Sequence, residues 1–190
     1  MKKNIETPNY IVNTQDGYIE IRTYRPKLVA SVVTTGDRQE AIRKGFKALA
    51  GFIFGDNQTA NKQAANIKMT APVIQQSTKI NMTTPVAQEK LNANEWQTSF
   101  VMPKQYTLDN LPQPNNDAIK IHQTPEEKMI VIRFSGAITN ANIAQHQHLL
   151  ANYIQQHDIK TKGDPIYAFY DAPWTLPMLR RNEVMWQLVG

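Results

Sequence analysis

The chain has no cysteine among its 190 residues. Disulfide staples, thiol catalysis and thiolate metal sites are therefore excluded, and the absence fits a reducing compartment. Long apolar runs are missing too. No stretch approaches the roughly 20 residues that a membrane-spanning helix needs. The lysines of Met1-Lys2-Lys3 are not followed by the apolar segment of a secretory signal. The expectation is a soluble, cytoplasmic protein. No GxGxxG, phosphate-loop, GxSxG or HExxH pattern appears, and there is no low-complexity tract. Nor is charge of one sign concentrated: 21 basic and 16 acidic residues leave a net +5. The densest basic spots are Arg38-Arg43-Lys44-Lys47 and Arg180-Arg181. A nucleic-acid binder usually shows a basic stripe or a recognisable module, so no nucleic-acid partner is expected. Basic side chains beside an apolar groove suit an anionic small molecule.

What the chain does contain is a repeat. Ile19-Glu20-Ile21-Arg22, the apolar run Leu28 to Val33 and a helical run Glu40 to Ile53 return as Ile119-Lys120-Ile121-His122, Met129 to Phe134 and Ile143 to Ile154. Length and order of elements are nearly the same. One domain over 1–190 is expected, with pseudo-symmetric halves at about 10–103 and 117–190 interleaved through a shared sheet. The length is enough for a normal core without staples. The seam between such halves is a place to look for a ligand groove.

Local signals fill in the elements. Tyr10–Asn13 and Tyr18–Thr23 flank Gln15-Asp16-Gly17, a hairpin signal. Lys27–Thr35 is rich in β-branched residues and reads as a strand. Asp37 with Glu40 forms a capping-box pattern, and Gly55 stops the helix near Phe54. At about 100° per residue, Ile42, Phe46, Leu49, Ala50 and Ile53 share one face of that helix, with Arg43 at its edge. Gly45 and Gly51 inside it read either as close packing on the sheet or as room for a flat ligand. Ile67–Val73 and its echo Ile80–Val86 read as strands, as do Glu95–Met102, Ile166–Tyr170 and Glu183–Leu188. The proline-bearing Lys104–Asp117 connects the halves.

Candidate chemistry is sparse. His146 and His148 lie roughly 200° apart around a helix, and His146 and His157 about 16 Å apart along it, so neither pair shares a metal ion. His122 sits alone on an alternating strand. Asp171 and Glu183 beside Arg180-Arg181 read as ion pairing around a tight turn. The aromatic set Phe46, Phe52, Phe54, Trp174 and Trp186 lines either a pocket or the core.

The stretches Tyr18-Ile19-Glu20-Ile21-Arg22, Ala41-Ile42-Arg43-Lys44-Gly45-Phe46, Ile67-Lys68-Met69-Thr70-Ala71-Pro72-Val73, Phe100-Val101-Met102-Pro103, Tyr170-Asp171-Ala172-Pro173-Trp174 and Arg180-Arg181-Asn182-Glu183-Val184, in this order, resemble the SOUL family of haem-binding proteins. The resemblance spans nearly the whole chain. It implies an α+β fold: a distorted antiparallel β-barrel of about eight strands with two flanking helices. It also implies that haem or free porphyrin binds in an apolar surface groove along the first helix, covered by the loop before the last strand. On that basis the site comprises Ile42, Arg43, Phe46, Leu49, Ala50, Ile53, and Met178 and Leu179 of the covering loop. Arg43 matches the position whose basic side chain meets a propionate. Phe46, Leu49 and Ala50 match the apolar wall.

This chain also departs from the family's pattern. Gly51 stands where one member has a second lysine, and the loop Trp174–Leu179 has no lysine. Thr23 stands where some vertebrate members carry an iron-ligating histidine, so no iron ligand is identified. The function implied is a non-catalytic tetrapyrrole carrier or buffer. The alternative is a sensor or partner-binding module for another amphipathic ligand, including hydrolases of the same fold.

Overall fold

The computed structural model describes residues 6–77, 94–171 and 174–190. In chain order it contains β1 (Tyr10–Asp16), β2 (Ile19–Tyr24), β3 (Lys27–Thr35), α1 (Arg38–Ile53), β4 (Asn57–Gln58), β5 (Val73–Ser77) and β6 (Glu95–Val101). The second half supplies β7 (Gln113–Pro114), β8 (Lys120–Thr124), β9 (Glu127–Phe134), α2 (Asn140–Gln156), β10 (Thr161–Phe169), a 3-10 turn at Pro177–Leu179 and β11 (Asn182–Leu188).

Among the described residues nine strands form one antiparallel sheet in the order β1-β2-β9-β11-β10-β5-β6-β3-β8, while β4 and β7 pair separately. The order is a palindrome. Exchanging β2, β3, β5 and β6 for β8, β9, β10 and β11 reverses it, leaving only β1 outside. The pseudo-twofold axis therefore passes between β5 and β10, which pair directly. The two copies are interleaved: β2 pairs with β9 and β8 with β3, so each half lends a strand to the other. Helix positions follow the same symmetry, with α1 over β3 and β6 and α2 over β9 and β11.

Two expectations need correction. Among the described residues the sheet keeps two edges, β1 and β8, and is not closed into a barrel. Of Ile67–Val73 only Val73 is in a strand. The preceding residues run irregularly because their polar groups bond to separate elements: Ile67 N–H to Ile53 O, Ala71 N–H to Glu6 O, and the Thr70 hydroxyl to Val101 O. The echo at Ile80–Val86 lies outside the described residues.

Elsewhere local chemistry sets the boundaries. Gly17, at φ 55°, opens the two-residue turn that pairs Asp16 with Ile19. Asp37 caps α1 by accepting from Glu40 N–H at 2.8 Å. Thr139 caps α2, which starts earlier than the apolar period alone indicates. β10 also starts early; Pro165 is tolerated where the pairing with β11 shifts register, between Lys162 and Ile166.

Three hydrophobic clusters result. One joins α1 to β3 and β6 through Leu49, Phe52, Ile53, Ala30 and Phe100. The second, around Ile130, Ile143, Leu150 and Val184, lies beneath α2. The third, with Tyr24, Met129, Tyr170 and Met185, packs the opposite face of the sheet. The helix glycine is also explained: a Cβ on Gly45 would stand 2.4 Å from Thr98 Oγ1, so this residue lets α1 close onto β6. Among the described residues no helix is long and apolar enough to cross a membrane.

Candidate functional site

The face of α1 turned to the sheet is Ala41, Gly45, Leu49, Phe52 and Ile53. Its small residues let the helix approach closely, which turns the larger Ile42 and Phe46 sideways. The sequence-derived site residues accordingly separate into three groups. Leu49 and Ile53 are 0% and 1% exposed and belong to the core. Ile42, Phe46 and Ala50 are half-buried along the outer flank of α1, with Arg43 exposed beside them. Phe46 meets the Phe100 ring edge-on at 5.4 Å, while Ile42 packs with the cluster under α2.

Met178 and Leu179 lie on the loop before β11 and are 74% and 68% exposed, alongside exposed Trp174 and Leu176. That loop is built, not loose. Gly136 N–H donates to Pro177 O at 2.9 Å. Arg180 Nε donates to Thr175 O at 2.7 Å, and Asp171 Oδ2 accepts from Arg181 N–H at 2.6 Å. The start of α1 reaches the same region: Arg38 donates to Ile138 O at 3.1 Å and to Asn140 Oδ1 at 2.7 Å. Segment 136–140 thus anchors both the loop and the N-terminus of α1.

The histidines stay apart. His146 stacks on Phe134 at 4.0 Å and its Nδ1 bonds to Asn142 O, a structural role. His148, His157 and His122 are exposed at separate places. Thr23 faces Asn13 through its hydroxyl on β2. Among the described residues no group of three His, Asp or Glu converges on a metal position.

The most elaborate polar cluster went unread in the sequence, which offered only an ion pair around a turn. Glu183, 0% exposed, accepts from Arg22 Nη1 at 3.0 Å, from Arg181 Nη2 at 2.7 Å and from Tyr170 Oη at 2.9 Å. Arg22, 1% exposed, also donates to Glu20 and Tyr24 and lies 4.4 Å from the Tyr10 ring centroid. Burial, the largest single influence, lowers the arginine's proton affinity, but Glu183, Tyr24 and Glu20 together outweigh it and the net shift is upward. Burial, then the Glu183 charge, drives the Tyr170 hydroxyl well above the ordinary tyrosine range.

Burial, followed by the Glu183 charge, likewise pushes Tyr24 from near 10 up to about 12, against the opposing pull of Arg22. Between those values the unfolded chain has lost the Tyr24 proton while the folded chain retains it. Stability is therefore complete below about pH 10 and falls as pH rises towards about 12. Urea titrations across this window should show Tyr24→Phe losing about 2–3 kcal/mol less than the parent, since a pKa unit is worth about 1.4 kcal/mol. Parallel curves would show that this hydroxyl is not desolvated.

Among the described residues, cavities away from α1 include the following three. One of about 310 Å³ sits between the 6–9 segment and the 103–108 loop. A second, of about 160 Å³, opens on the helix-free face of the sheet over the pseudo-twofold axis. A shallow third, of about 400 Å³, lies beside α2 and Tyr18.

Comparison with known proteins follows the same lines. The family model described as SOUL heme-binding protein matches residues 5–187. Heme-binding protein 2 of Homo sapiens is 30% identical over 96% of this chain and 85% of its own length. Among solved structures, the EcmrR C-terminal domain superposes with a TM-score of 0.63 at 10% identity, covering 90% of this chain and 97% of that one. A hydrolase from Listeria innocua does so with a TM-score of 0.57 at 9% identity, covering 93% and 94%. These two likenesses establish the fold alone.

Proposed function

The chain belongs to the SOUL heme-binding protein family, and from that membership we propose that it binds haem or free porphyrin as a non-catalytic carrier or buffer. The observation that supports this most is the outer flank of α1. Ile42, Phe46 and Ala50 stay partly open there, exposed Arg43 stands beside them, and the Met178-Leu179 turn is anchored to the region that α1 reaches through Arg38.

The residues present suit a tetrapyrrole. Its apolar body would lie on the α1 flank and under Met178 and Leu179. Covering a few hundred Å² of apolar surface is worth several kcal/mol at about 25 cal/mol per Å², before association costs. Arg43 would hold a propionate by a charge-assisted hydrogen bond. Leu49 and Ile53 contribute from behind, by stiffening the helix. Bound haem would bring its iron, for which no protein ligand is assigned, and no residue is given a catalytic role. The partner is a small tetrapyrrole, not nucleic acid.

Absorption titrations with haemin and with metal-free protoporphyrin test this. The two should bind with affinities within about threefold of each other, since no side chain is assigned to the iron. Arg43→Glu and Leu179→Asp alter side chains exposed in the free protein, and each should weaken both ligands by about tenfold, the first through the lost charge-assisted contact and the second through lost apolar burial. Glu126→Lys, on the exposed turn before β9, should change neither. If all three variants bind like the parent, the groove assignment is wrong.

A further inference from the structure

The cleft on the helix-free face of the sheet is built from equivalent positions of the two copies. Val29 of β3 faces it, as does its counterpart Met129 of β9, and Tyr24 faces it with its counterpart Thr124. At its rim Lys27 and its counterpart Glu127 form a 2.7 Å ion pair across the axis. Further apolar walls include Ile74, Ile166 and Met185, and the polar lining includes Gln76, Gln97, Ser99 and His122. Ile74 and Ile166 are only partly buried, so the cleft is open at its mouth.

Volume, charge and hydrogen bonding each narrow the occupant. At about 160 Å³ the space is far smaller than a tetrapyrrole. It is close to the roughly 150 Å³ apolar cavity that admits benzene in another protein. The charges are balanced: Lys27 is paired with Glu127, and the Glu183 beneath Tyr170 is bonded to both Arg22 and Arg181. An organic cation would need an unpaired carboxylate and an anion an unpaired cation, so a neutral ligand fits best. Tyr24 lines the cleft and its oxygen already accepts from Arg22 Nη1 at 2.9 Å, so the bond it has left to give is as a donor.

We propose that this cleft is a second binding site, separate from the α1 groove, for a neutral single-ring ligand bearing a carbonyl-type acceptor that takes a hydrogen bond from Tyr24. It does not depend on the haem reading, because the walls of the two sites share no residue.

Methyl NMR on the full chain carrying 13C-labelled methionine tests it, because Met129 and Met185 line the cleft while Met178 marks the loop near α1. Resonances are assigned by single Met→Leu replacement. Acetophenone should move the Met129 and Met185 methyls and leave Met178 in place. Ethylbenzene should move the same pair with about tenfold weaker affinity, one hydrogen bond being worth about that factor. Tyr24→Phe should erase the difference between the two ligands. Ile74→Trp, which fills the mouth, should abolish both responses while haemin still broadens Met178. The proposal is overturned if millimolar acetophenone leaves Met129 and Met185 unmoved. It is also overturned if Tyr24→Phe preserves the preference, or if benzyltrimethylammonium binds more tightly than acetophenone. Failure of haemin to affect Met178 bears on the α1 groove alone.

Discussion

Arg22→Met should destabilise the protein by about 3–5 kcal/mol, the usual loss when one member of a buried ion pair is removed. The side chain is 1% exposed and bonds to Glu183, Glu20 and Tyr24. Without it the fully buried Glu183 keeps Arg181 and Tyr170 but loses half of its positive surroundings. For a domain of this size the loss corresponds to a fall in melting temperature of roughly 6–20 °C. Glu183→Gln should be comparably costly, and the double variant should cost clearly less than the sum, as expected of directly coupled residues. Additive losses, or a single-variant cost under about 1 kcal/mol, would mean that the network contributes little to holding β2 against β9 and β11.

Leu49→Ala should cost about 2–5 kcal/mol through the cavity left among Phe52, Ile53, Ala30 and Phe100. Haem affinity of the folded fraction should stay within about threefold of the parent's, because Leu49 is 0% exposed and lies behind the proposed groove instead of lining it. Arg43→Glu should give the opposite profile, with stability changed by no more than about 0.5 kcal/mol, as is usual for surface positions, and haem binding weakened. Chemical denaturation and haemin titration of both variants make the comparison. Should Leu49→Ala lose haem while keeping its stability, the inner face of α1 must open to admit the ligand.

These contrasts mark what the primary structure makes legible. Asp37 with Glu40, Asp16-Gly17 and the β-branched run Lys27–Thr35 act through near neighbours, and each produced the element expected of it. The repeat pointed to two related halves in one sheet. It did not say that β2 would pair with β9, because that choice rests on contacts about 100 residues distant. Arg22 shows the same limit. On an alternating strand an arginine reads as solvent-facing, and only the fold brings Glu183 under it.

The α1 face was misjudged by a fraction of a turn for a different reason. A hydrophobic period weights large side chains such as Ile42 and Phe46. Packing here is governed by the small Ala41 and Gly45, which let backbone meet sheet. The consequence for the site is direct: two residues placed in the groove are core, and the accessible strip is Ile42, Phe46 and Ala50 beside Arg43.

The exchange of strands between halves also sets a timetable for synthesis. Tyr24 pairs with Glu127 and Ile19 with Ile132, so β2 leaves the ribosome long before its partner exists. At about 5–20 residues per second the wait is on the order of 5–20 s. During that interval Arg22 and the apolar edge of β2 can be shielded only by solvent, by the β1 hairpin or by a chaperone.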